Sequence, residues 1–280
     1  MPARGLTLPP PPQPPAPRGD GAALAHSARG GFLHEAALVA VAILLYFAIR
    51  NLTAGSPEEA YANAERLLEL ERRLGIAWEE PAQAAIAGSD LLVTLANWVY
   101  IWGHWPVVLT AAAVLYLRDR RRYLLLRSAL FVSGAIGFLF FALLPVAPPR
   151  LLALGLVDTV TERSSAYRAL QPPGLTNQLA AFPSLHAGWN LVVGLVLLAA
   201  TARLAVRVVA VVSPVTMALA VVVTANHFVV DVAAGAAVVI VGLAAAHAIE
   251  RRRDAATLRD RGLLAARAAP RRPPGRQPPR

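Results

Sequence analysis

Residues 204–249 read LAVRVVAVVSPVTMALAVVVTANHFVVDVAAGAAVVIVGLAAAHAI, which is two apolar blocks around a short polar segment. A helix needs ~20 predominantly apolar residues to cross the hydrocarbon core of a bilayer, and each block is about that long. The apolar residues surround each helix and do not follow a single face, as is typical of a membrane span. This stretch therefore predicts two transmembrane helices, at 204–225 and 227–249.

The rest of the chain continues this pattern. Its 280 residues are 56% hydrophobic and only 16% charged, which is too apolar for an ordinary soluble domain. We predict an all-α integral membrane bundle in residues 31–250, between a disordered Pro-rich tail at 1–30 and a disordered Arg-rich tail at 251–280. The six predicted transmembrane helices are 33–50, 90–117, 123–144, 187–201, 204–225 and 227–249.

The basic residues are all Arg, and 20 of the 27 fall in the tails and loops that six spans place on one side. Such an excess marks the cytoplasmic side of a membrane protein. We therefore predict a multi-pass protein of the plasma (cytoplasmic) membrane, with both termini in the cytoplasm and the segments 52–89 and 145–186 outside. Charge placed in tails and short loops indicates membrane lipids as partners and argues against nucleic acid. The absence of Cys excludes disulfides and thiolate catalysis.

The first outer segment contains a helix signal. Ser56 is followed by Pro57 and two Glu, which is a capping box with Pro at the first helical position. Apolar residues then recur at helical spacing and predict an extracytoplasmic amphipathic helix that lies against the membrane surface. A packed surface helix without a catalytic role is the commoner alternative. The apolar residues of this pattern are Ala60, Ala64, Leu67, Leu68 and Leu74.

Ionisable residues are costly inside a membrane span, and two of them begin the last predicted span. His227 and Asp231 are four residues apart, which places both on one face of a helix. The carboxylate can then hold one imidazole nitrogen and leave the other free to attack a substrate. Asn226 is expected to cap this helix, and Gly235 and Gly242 to allow close packing. A structural His–Asp pair that pins helices together is an equal alternative.

Two further segments carry groups that suit a phosphate. In the Pro-Ser-Leu-His segment that ends at His186, Ser184 is placed to cap the fourth span, and the N–H groups of a helix start bind anions. His186, on the first turn, can protonate a leaving oxygen. Arg150 follows two prolines and offers a planar cation with several donors. Taken singly, a capped helix with a boundary His and a snorkelling interfacial Arg are the commoner interpretations.

The six-span topology brings these segments together. The end of the third span and the starts of the fourth and sixth spans all lie on the outer face. Two His, one Asp, one Arg and a Ser-capped helix then supply a nucleophile, an orienting carboxylate, a general acid and an anion cradle. This combination predicts a phosphoryl-transfer site on the extracytoplasmic face.

A polar stripe crosses the second predicted span. Asn97, Tyr100 and His104 share one helical face, and Pro106 is expected to kink the helix. These side chains either line a pocket for a lipid headgroup or hydrogen-bond to another span. We favour the pocket.

The three segments in combination resemble the signature motifs of the type-2 phosphatidic acid phosphatase superfamily, from about residue 57 to 245. The Leu in Pro-Ser-Leu-His resembles its inositol phosphorylceramide synthase-like branch. The resemblance implies that His227 forms a phosphohistidine, that Asp231 assists it and that His186 is the acid. It implies phosphate binding by Arg150 and Ser184, and neither a metal nor another cofactor.

The chain departs from the phosphatase pattern at two cations. Leu143 stands where the first motif has a Lys, and Val221 stands where the third motif has an Arg. Arg163 or Arg168 are candidate substitutes. The two missing cations favour the synthase-like branch, whose acceptor is an alcohol.

These expectations define one function with two alternatives. The predicted function is phosphoryl transfer on a lipid phosphate or phosphodiester, with water or an inositol-like alcohol as acceptor. A simple lipid phosphate phosphatase, acting on phosphatidic acid or polyprenyl phosphate, uses the same catalytic residues. The non-enzyme alternative is a transporter or membrane scaffold, and a transporter would need more embedded ionisable residues than Asp231.

Overall fold

The structure, a computed structural model, describes the chain over five ranges: 33–42, 44–45, 48, 56–164 and 178–268. All the regular elements within these ranges are helices, and strands are absent from them. The predicted all-α class is therefore confirmed over the described ranges. Helices are numbered α1 to α10 in chain order.

The chain divides into two units after Leu45, and the described residues of the first unit begin at Leu33. Helix α1, Leu33–Ala42, is an apolar helix in this unit. Residues 43, 46, 47, 49 and 50 of the predicted 33–50 span and the whole of the predicted Pro-rich tail at 1–30 lie outside the described residues.

Helix α2, Pro57–Leu74, begins at the predicted capping box. Ser56 Oγ accepts a hydrogen bond from the Glu59 amide at 3.4 Å, and Pro57 occupies the first helical position. Gly75 ends the helix with a φ of 71°, in the left-handed region that glycine adopts without strain. The predicted start of this helix is therefore confirmed.

The buried face of α2 packs on protein. Ala60, Ala64 and Leu68 are buried against the segments that carry the predicted site. Leu74 is 60% exposed on the protein, so its predicted place on a face against the membrane stays a prediction. The last position of the buried stripe is instead Glu71, whose side chain is fully buried.

Helices α3, Glu79–Ala87, α4, Asp90–Trp102, and α5, Trp105–Arg118, follow. The α4–α5 pair bends by 46° at a break over Gly103 and His104. Pro106 lies in the first turn of α5, where its missing N–H costs least. The kink expected from Pro106 is therefore present, just ahead of that residue.

The remaining elements surround the core. They are α6 at Arg120–Leu143, one 3₁₀ turn at Pro149–Leu151, α7 at Thr159–Arg163, α8 at Leu185–Ala200, α9 at Leu204–Val223 and α10 at Val229–Ala268. Helix α10 packs against α6 and α8, and α9 packs against α8. Their largest core cluster includes Val108, Leu115, Leu126, Phe141, Trp189, Val193 and Val239.

Glycines set the closest of these contacts. A Cβ on Gly188 would lie 2.7 Å from the carbonyl oxygen of Gly235, and one on Gly242 would lie 2.8 Å from the carbonyl oxygen of Ala129 in α6. Real Cβ atoms do not approach backbone so closely, so α10 reaches both neighbours only through small residues. The close packing predicted for Gly235 and Gly242 is confirmed.

The length and apolarity of the helices identify a membrane protein. Helices α6, α9 and residues 229–260 of α10 can each cross a bilayer, and the α4–α5 pair adds a fourth span if it is counted as one broken helix. Helix α8 has 16 residues, or about 24 Å at 1.5 Å per residue, which is less than the ~30 Å hydrocarbon core. The six-span count therefore stays a prediction.

Helix α10 is longer than the predicted last span. Where the sequence predicts a disordered tail from 251, the helix continues to Ala268. This segment is rich in Ala, Arg and Leu, which are strong helix formers. Arg121 of α6 also meets Asp254 at 3.4 Å. Residues 269–280 lie outside the described ranges.

Candidate active site

The three predicted motif segments meet at one end of α6, α8 and α10. The Arg150 amide donates to the Ala225 carbonyl at 3.0 Å, and the Ser184 amide donates to the Asp231 carbonyl at 3.0 Å. The ring centroids of His186 and His227 are 6.1 Å apart. Main-chain hydrogen bonds therefore join the Arg150 segment and the Ser184 segment to the segment around the start of α10, and the two His rings lie close together.

His227 lies in the turn between α9 and α10 and is held through its Nδ1 atom. Nδ1 is 2.8 Å from the carbonyl oxygen of Ala181 and 3.4 Å from Oδ2 of Asp231. A carbonyl oxygen only accepts, so Nδ1 carries a proton and a neutral ring has its lone pair on Nε2. The nearer acceptor is the Ala181 carbonyl, which the sequence did not predict, and the predicted acceptor, Asp231, is the farther of the two.

Ala181 is itself fixed by main-chain contacts. Its amide donates to the Val146 carbonyl at 3.1 Å, and the Val146 amide donates to the Leu179 carbonyl at 2.8 Å. The segment after α6 thus pairs with the segment before α8. This pairing aims the Ala181 carbonyl at His227.

Asp231 is the third residue of α10 and is fully buried. Its Oδ2 accepts from the Phe228 amide at 2.9 Å, which is the reciprocal half of a capping box. Its Oδ1 has no hydrogen-bond partner among the described residues. Asp231 therefore fastens the start of its own helix and places a carboxylate beside the Nδ1–H of His227.

Asn226 does not cap α10. Its side chain donates to the Thr224 hydroxyl at 2.9 Å, and the helix begins three residues later, at Val229. The residue before it, Ala225, has a φ of 53°, which is uncommon for a residue with a Cβ. The predicted capping role of Asn226 is wrong, because the chain needs a tight turn before the helix can start.

Ser184 caps α8 as predicted. Its Oγ accepts from the Ala187 amide at 3.4 Å, and the residue is fully buried. A Cβ on Gly235 would meet the Ser184 carbonyl, so the start of α8 rests directly on α10. The predicted contact of Ser184 with a phosphate stays a prediction.

His186 stacks in a cluster of aromatic rings. Its ring lies 4.9 Å from that of Tyr100 at 18° between planes, and 4.4 Å from the ring of His104. Asn190 donates to the His186 carbonyl at 3.0 Å and contacts His104 Nδ1 at 3.4 Å. Two of the three polar residues predicted on the second span therefore border the candidate acid.

Asn97, the third of them, is engaged elsewhere. Its Nδ2 donates to the Thr159 carbonyl at 2.9 Å, and its Oδ1 accepts from the Thr159 hydroxyl at 2.9 Å. Both groups are buried. Asn97 thus ties α4 to α7, which is the structural alternative that the sequence left open.

Arg150 is buried, with its side chain 7% exposed. Its Nε lies 2.9 Å from Oδ2 of Asp158, which also caps α7 by accepting from the Thr161 amide at 3.0 Å. A snorkelling Arg would reach out to solvent, so burial argues against that interpretation. Because Asp158 engages the Nε edge, the Nη edge is the one available to a phosphate.

These groups can perform one kind of chemistry. An imidazole with a free Nε2, a second imidazole within reach and a buried guanidinium suit the displacement of an alcohol from phosphorus. Within the described ranges, no group of three or more His, Asp or Glu side chains is arranged to hold a metal ion.

A model of the PAP2 superfamily matches residues 65–245, well over half of the chain. The chain belongs to the PAP2 superfamily. Members of this superfamily are generally phosphatases or phosphotransferases. The match contains all the candidate site residues, from Asn97 to Asp231. No curated protein and no solved structure matches the chain.

Neither of the two positions that depart from the predicted phosphatase pattern supplies a cation here. Leu143 is 70% exposed at the end of α6, and Val221 is fully buried in the core. Arg163, a candidate substitute, pairs with Asp90 at 2.7 Å on the surface. Arg168, the other candidate, lies outside the described residues.

Two buried carboxyl groups at this PAP2 site were not predicted from the sequence. Glu79 Oε1 accepts from the Val229 amide at 2.8 Å, and Glu71 Oε1 accepts from the Val230 amide at 2.6 Å. Burial, and then the charge of Glu79, raise the pKa of Glu71 to about 8, against a hydrogen bond from Val230 that lowers it. Glu71 could have been found, because it continues the helical spacing of Ala64 and Leu68.

The first turn of α10 is therefore occupied by carboxylates. Its amides at 228, 229 and 230 each donate to an acidic side chain. A phosphate cannot use the same donors, so the helix start that remains for a phosphate at this site is that of α8.

Proposed function

We propose that this PAP2 protein transfers a phosphoryl group from a lipid phosphate or phosphodiester, through a phosphohistidine on His227, to water or an inositol-like alcohol. The observation that carries the proposal is the hydrogen bond of His227 Nδ1 to the Ala181 carbonyl, 2.8 Å long. It leaves the Nε2 lone pair of a neutral ring available, with the His186 ring 6.1 Å away.

The first step forms a bond between His227 Nε2 and phosphorus and breaks the bond from phosphorus to the lipid oxygen. His186 gives its proton to that oxygen, and the alcohol leaves. The His227 ring gains positive charge as Nε2 bonds to phosphorus. The Ala181 carbonyl and the Asp231 carboxylate, both at its Nδ1–H, stabilise that charge.

The second step returns the enzyme to its starting state. The acceptor oxygen bonds to phosphorus, the bond to His227 Nε2 breaks, and His186 takes the proton of the acceptor. Throughout, the Nη edge of Arg150 binds the non-bridging oxygens, and the Ser184-capped start of α8 adds donors. Asp158 holds the Arg150 guanidinium at 2.9 Å, which reduces its freedom before the substrate arrives.

The surroundings of the site favour a lipid as substrate. The candidate groups lie at the ends of long apolar helices, and α9 presents apolar residues outward along its length. A phosphate at this level of a bilayer belongs to a headgroup, with its chains beside the helices. The Arg distribution supports the extracytoplasmic face for the site and the cytoplasm for both termini.

Transfer to an alcohol and hydrolysis share these residues. The Pro-Ser-Leu-His sequence and the absence of cations at Leu143 and Val221 favour an alcohol acceptor. The transporter or scaffold alternative is weakened by Asp231, because a hydrogen bond from the Phe228 amide engages its carboxylate at a helix start.

The test uses purified full-length protein in lipid vesicles. Phosphatidic acid, a polyprenyl phosphate and phosphatidylinositol are each supplied with and without an added alcohol, inositol or ceramide. We expect a new phosphate ester of the added alcohol only when that alcohol is present: a phosphodiester lipid from phosphatidylinositol with ceramide, and a phosphomonoester from the two lipid phosphates. Release of free phosphate that ignores the alcohol would identify a phosphatase instead. Turnover that survives in His227→Ala would overturn the mechanism.

A further inference from the structure

The start of α10 is held from outside the helix by two acidic side chains. Glu79, the first residue of α3, binds the Val229 amide, and Glu71, near the end of α2, binds the Val230 amide. Both side chains are almost completely buried, at 2% and 0% exposed. His227 immediately precedes the turn that these contacts fix.

The two carboxyl groups are also close enough to interact with each other. Like charges that are buried together are strongly unfavourable, so such a pair retains one proton. Glu71 Oε2 has no donor among the described residues. A proton on this atom leaves the pair with one negative charge, and the Oε1 atoms of both residues still accept from the two amides.

We infer that Glu71 and Glu79 are positioning residues for His227, which they fix through the Val229 and Val230 amides at the start of α10. The inference rests on the proposed function. Helices α2 and α3 precede all three motif segments in the chain, so this role gives the first outer segment a part in catalysis. It acts on the turn that carries the nucleophile, and neither carboxyl group contacts the substrate.

The proton on Glu71 gives the arrangement a pH dependence. The charged groups that face Glu71 are Glu79 from α3 and Asp231 from α10, and Asp231 in turn contacts His227. The pKa of Glu71 is raised above its ordinary 4.5, to about 8. Its contribution to stability is therefore complete below pH 4.5 and is lost as the pH rises through about 8. When this proton is lost, the Glu71 carboxylate repels those of Glu79 and Asp231, and this repulsion loosens the start of α10.

The test compares kcat and KM from about pH 6 to about pH 9 in the full-length protein. Glu71→Gln keeps an acceptor for Val230 and a donor for Glu79, so it imitates the protonated form. We expect wild-type kcat near neutral pH and less alkaline loss than in the wild type. The two proteins differ only at residue 71, so the difference between their profiles reports Glu71. Glu71→Ala should lower kcat by about tenfold or more, with little change in KM.

The matched control is Glu69→Gln on the same helix, because Glu69 is half-exposed and pairs only with the surface residue Arg73. Its profile should equal that of the wild type. The inference is overturned if Glu71→Ala keeps full kcat, or if Glu71→Gln repeats the wild-type alkaline loss.

A melting series over the same pH range, without substrate, separates this inference from the proposed function. A wild type inactive on every lipid phosphate overturns the proposed function. The melting midpoints then still decide whether Glu71 and Glu79 hold α10. They do so if the wild-type midpoint falls relative to that of Glu71→Gln as the pH rises through about 8. If the wild type and Glu71→Gln have equal melting midpoints at every pH, Glu71 and Glu79 do not hold the start of α10.

Discussion

The carbonyl oxygen of Ala181 lies 2.8 Å from Nδ1 of His227. It belongs to a residue outside the three motifs, and it cannot give a proton to the ring. The tautomer of His227 therefore does not depend on Asp231, whose Oδ2 is farther away, at 3.4 Å. Ala181 sets which nitrogen is free, and Asp231 adds negative charge beside the other one.

This division of roles predicts a partial loss of activity in Asp231→Asn. Where an Asp alone orients a catalytic His, the change to Asn costs about 10⁴-fold in kcat through the wrong tautomer. Here the loss should be smaller, about 10- to 100-fold, because the carbonyl keeps the tautomer and the Asn oxygen can still accept from the Phe228 amide. Rapid quench with a phosphate-labelled lipid would show slower labelling of the protein.

His227→Ala is the reference for that experiment and should be inactive, with a melting midpoint close to that of the wild type. If Asp231→Asn is folded and equally inactive, the carbonyl does not fix the tautomer.

The contact between Arg150 and Asp158 predicts that Arg150→Lys fails although the charge is kept. A Lys ammonium is a point donor and cannot bind Asp158 and a phosphate along two edges at once. We expect kcat/KM to fall by about 100-fold, which the turnover of a lipid phosphate measures. Arg163→Lys is the control, since that Arg pairs with Asp90 on the surface. Equal activity in both variants would assign Arg150 to packing.

Gly235 predicts a loss of stability and activity together. An added Cβ would lie 3.0 Å from the Ser184 carbonyl carbon and closer still to its oxygen, which pushes the start of α8 away from α10. Gly235→Ala should cost about 1–3 kcal/mol in the free energy of unfolding and should lower kcat. A Cβ on Gly88 meets nothing within 4 Å. Gly88→Ala should therefore match the wild type in melting midpoint and in turnover.

The topology predicts opposite labelling of two sites. The chain has no Cys, so single Cys variants report one position each. Glu162 and Leu258 are both exposed. In intact cells, a membrane-impermeant maleimide should label Glu162→Cys and should reach Leu258→Cys only after permeabilisation. Labelling of both before permeabilisation would place the site and the C-terminal helix on the same side.

The fold was predictable where a single residue type restricts the backbone conformation or the helix spacing. Ser56 with Pro57 marks the start of α2, Pro106 follows the break in the broken helix, and Gly235 marks a close crossing. The end of α10 was not predictable, because a segment rich in Arg has the composition of a solvated tail even when it is helical. The fourth span was predicted more closely, since its predicted bounds, 187–201, lie within two residues of those of α8.

The candidate site was predictable for side chains that act through their own chemistry. The sequence placed His186 and His227 on one face of the protein, and the structure brings their rings within 6.1 Å. Asp158 and Glu71 were missed, because a charged residue beside a helix is usually exposed to water. Only the fold shows that each is covered and bonded to a site segment.

The three site segments are joined by backbone atoms, through Arg150 to Ala225 and through Ser184 to Asp231. Every amino acid has a carbonyl, and every one except proline has an amide hydrogen. The joints can therefore persist while the side chains at 181 and 225 are exchanged, within what the backbone angles allow. A sequence motif defined by side chains would therefore leave out positions 181 and 225, although their backbone atoms align the nucleophile.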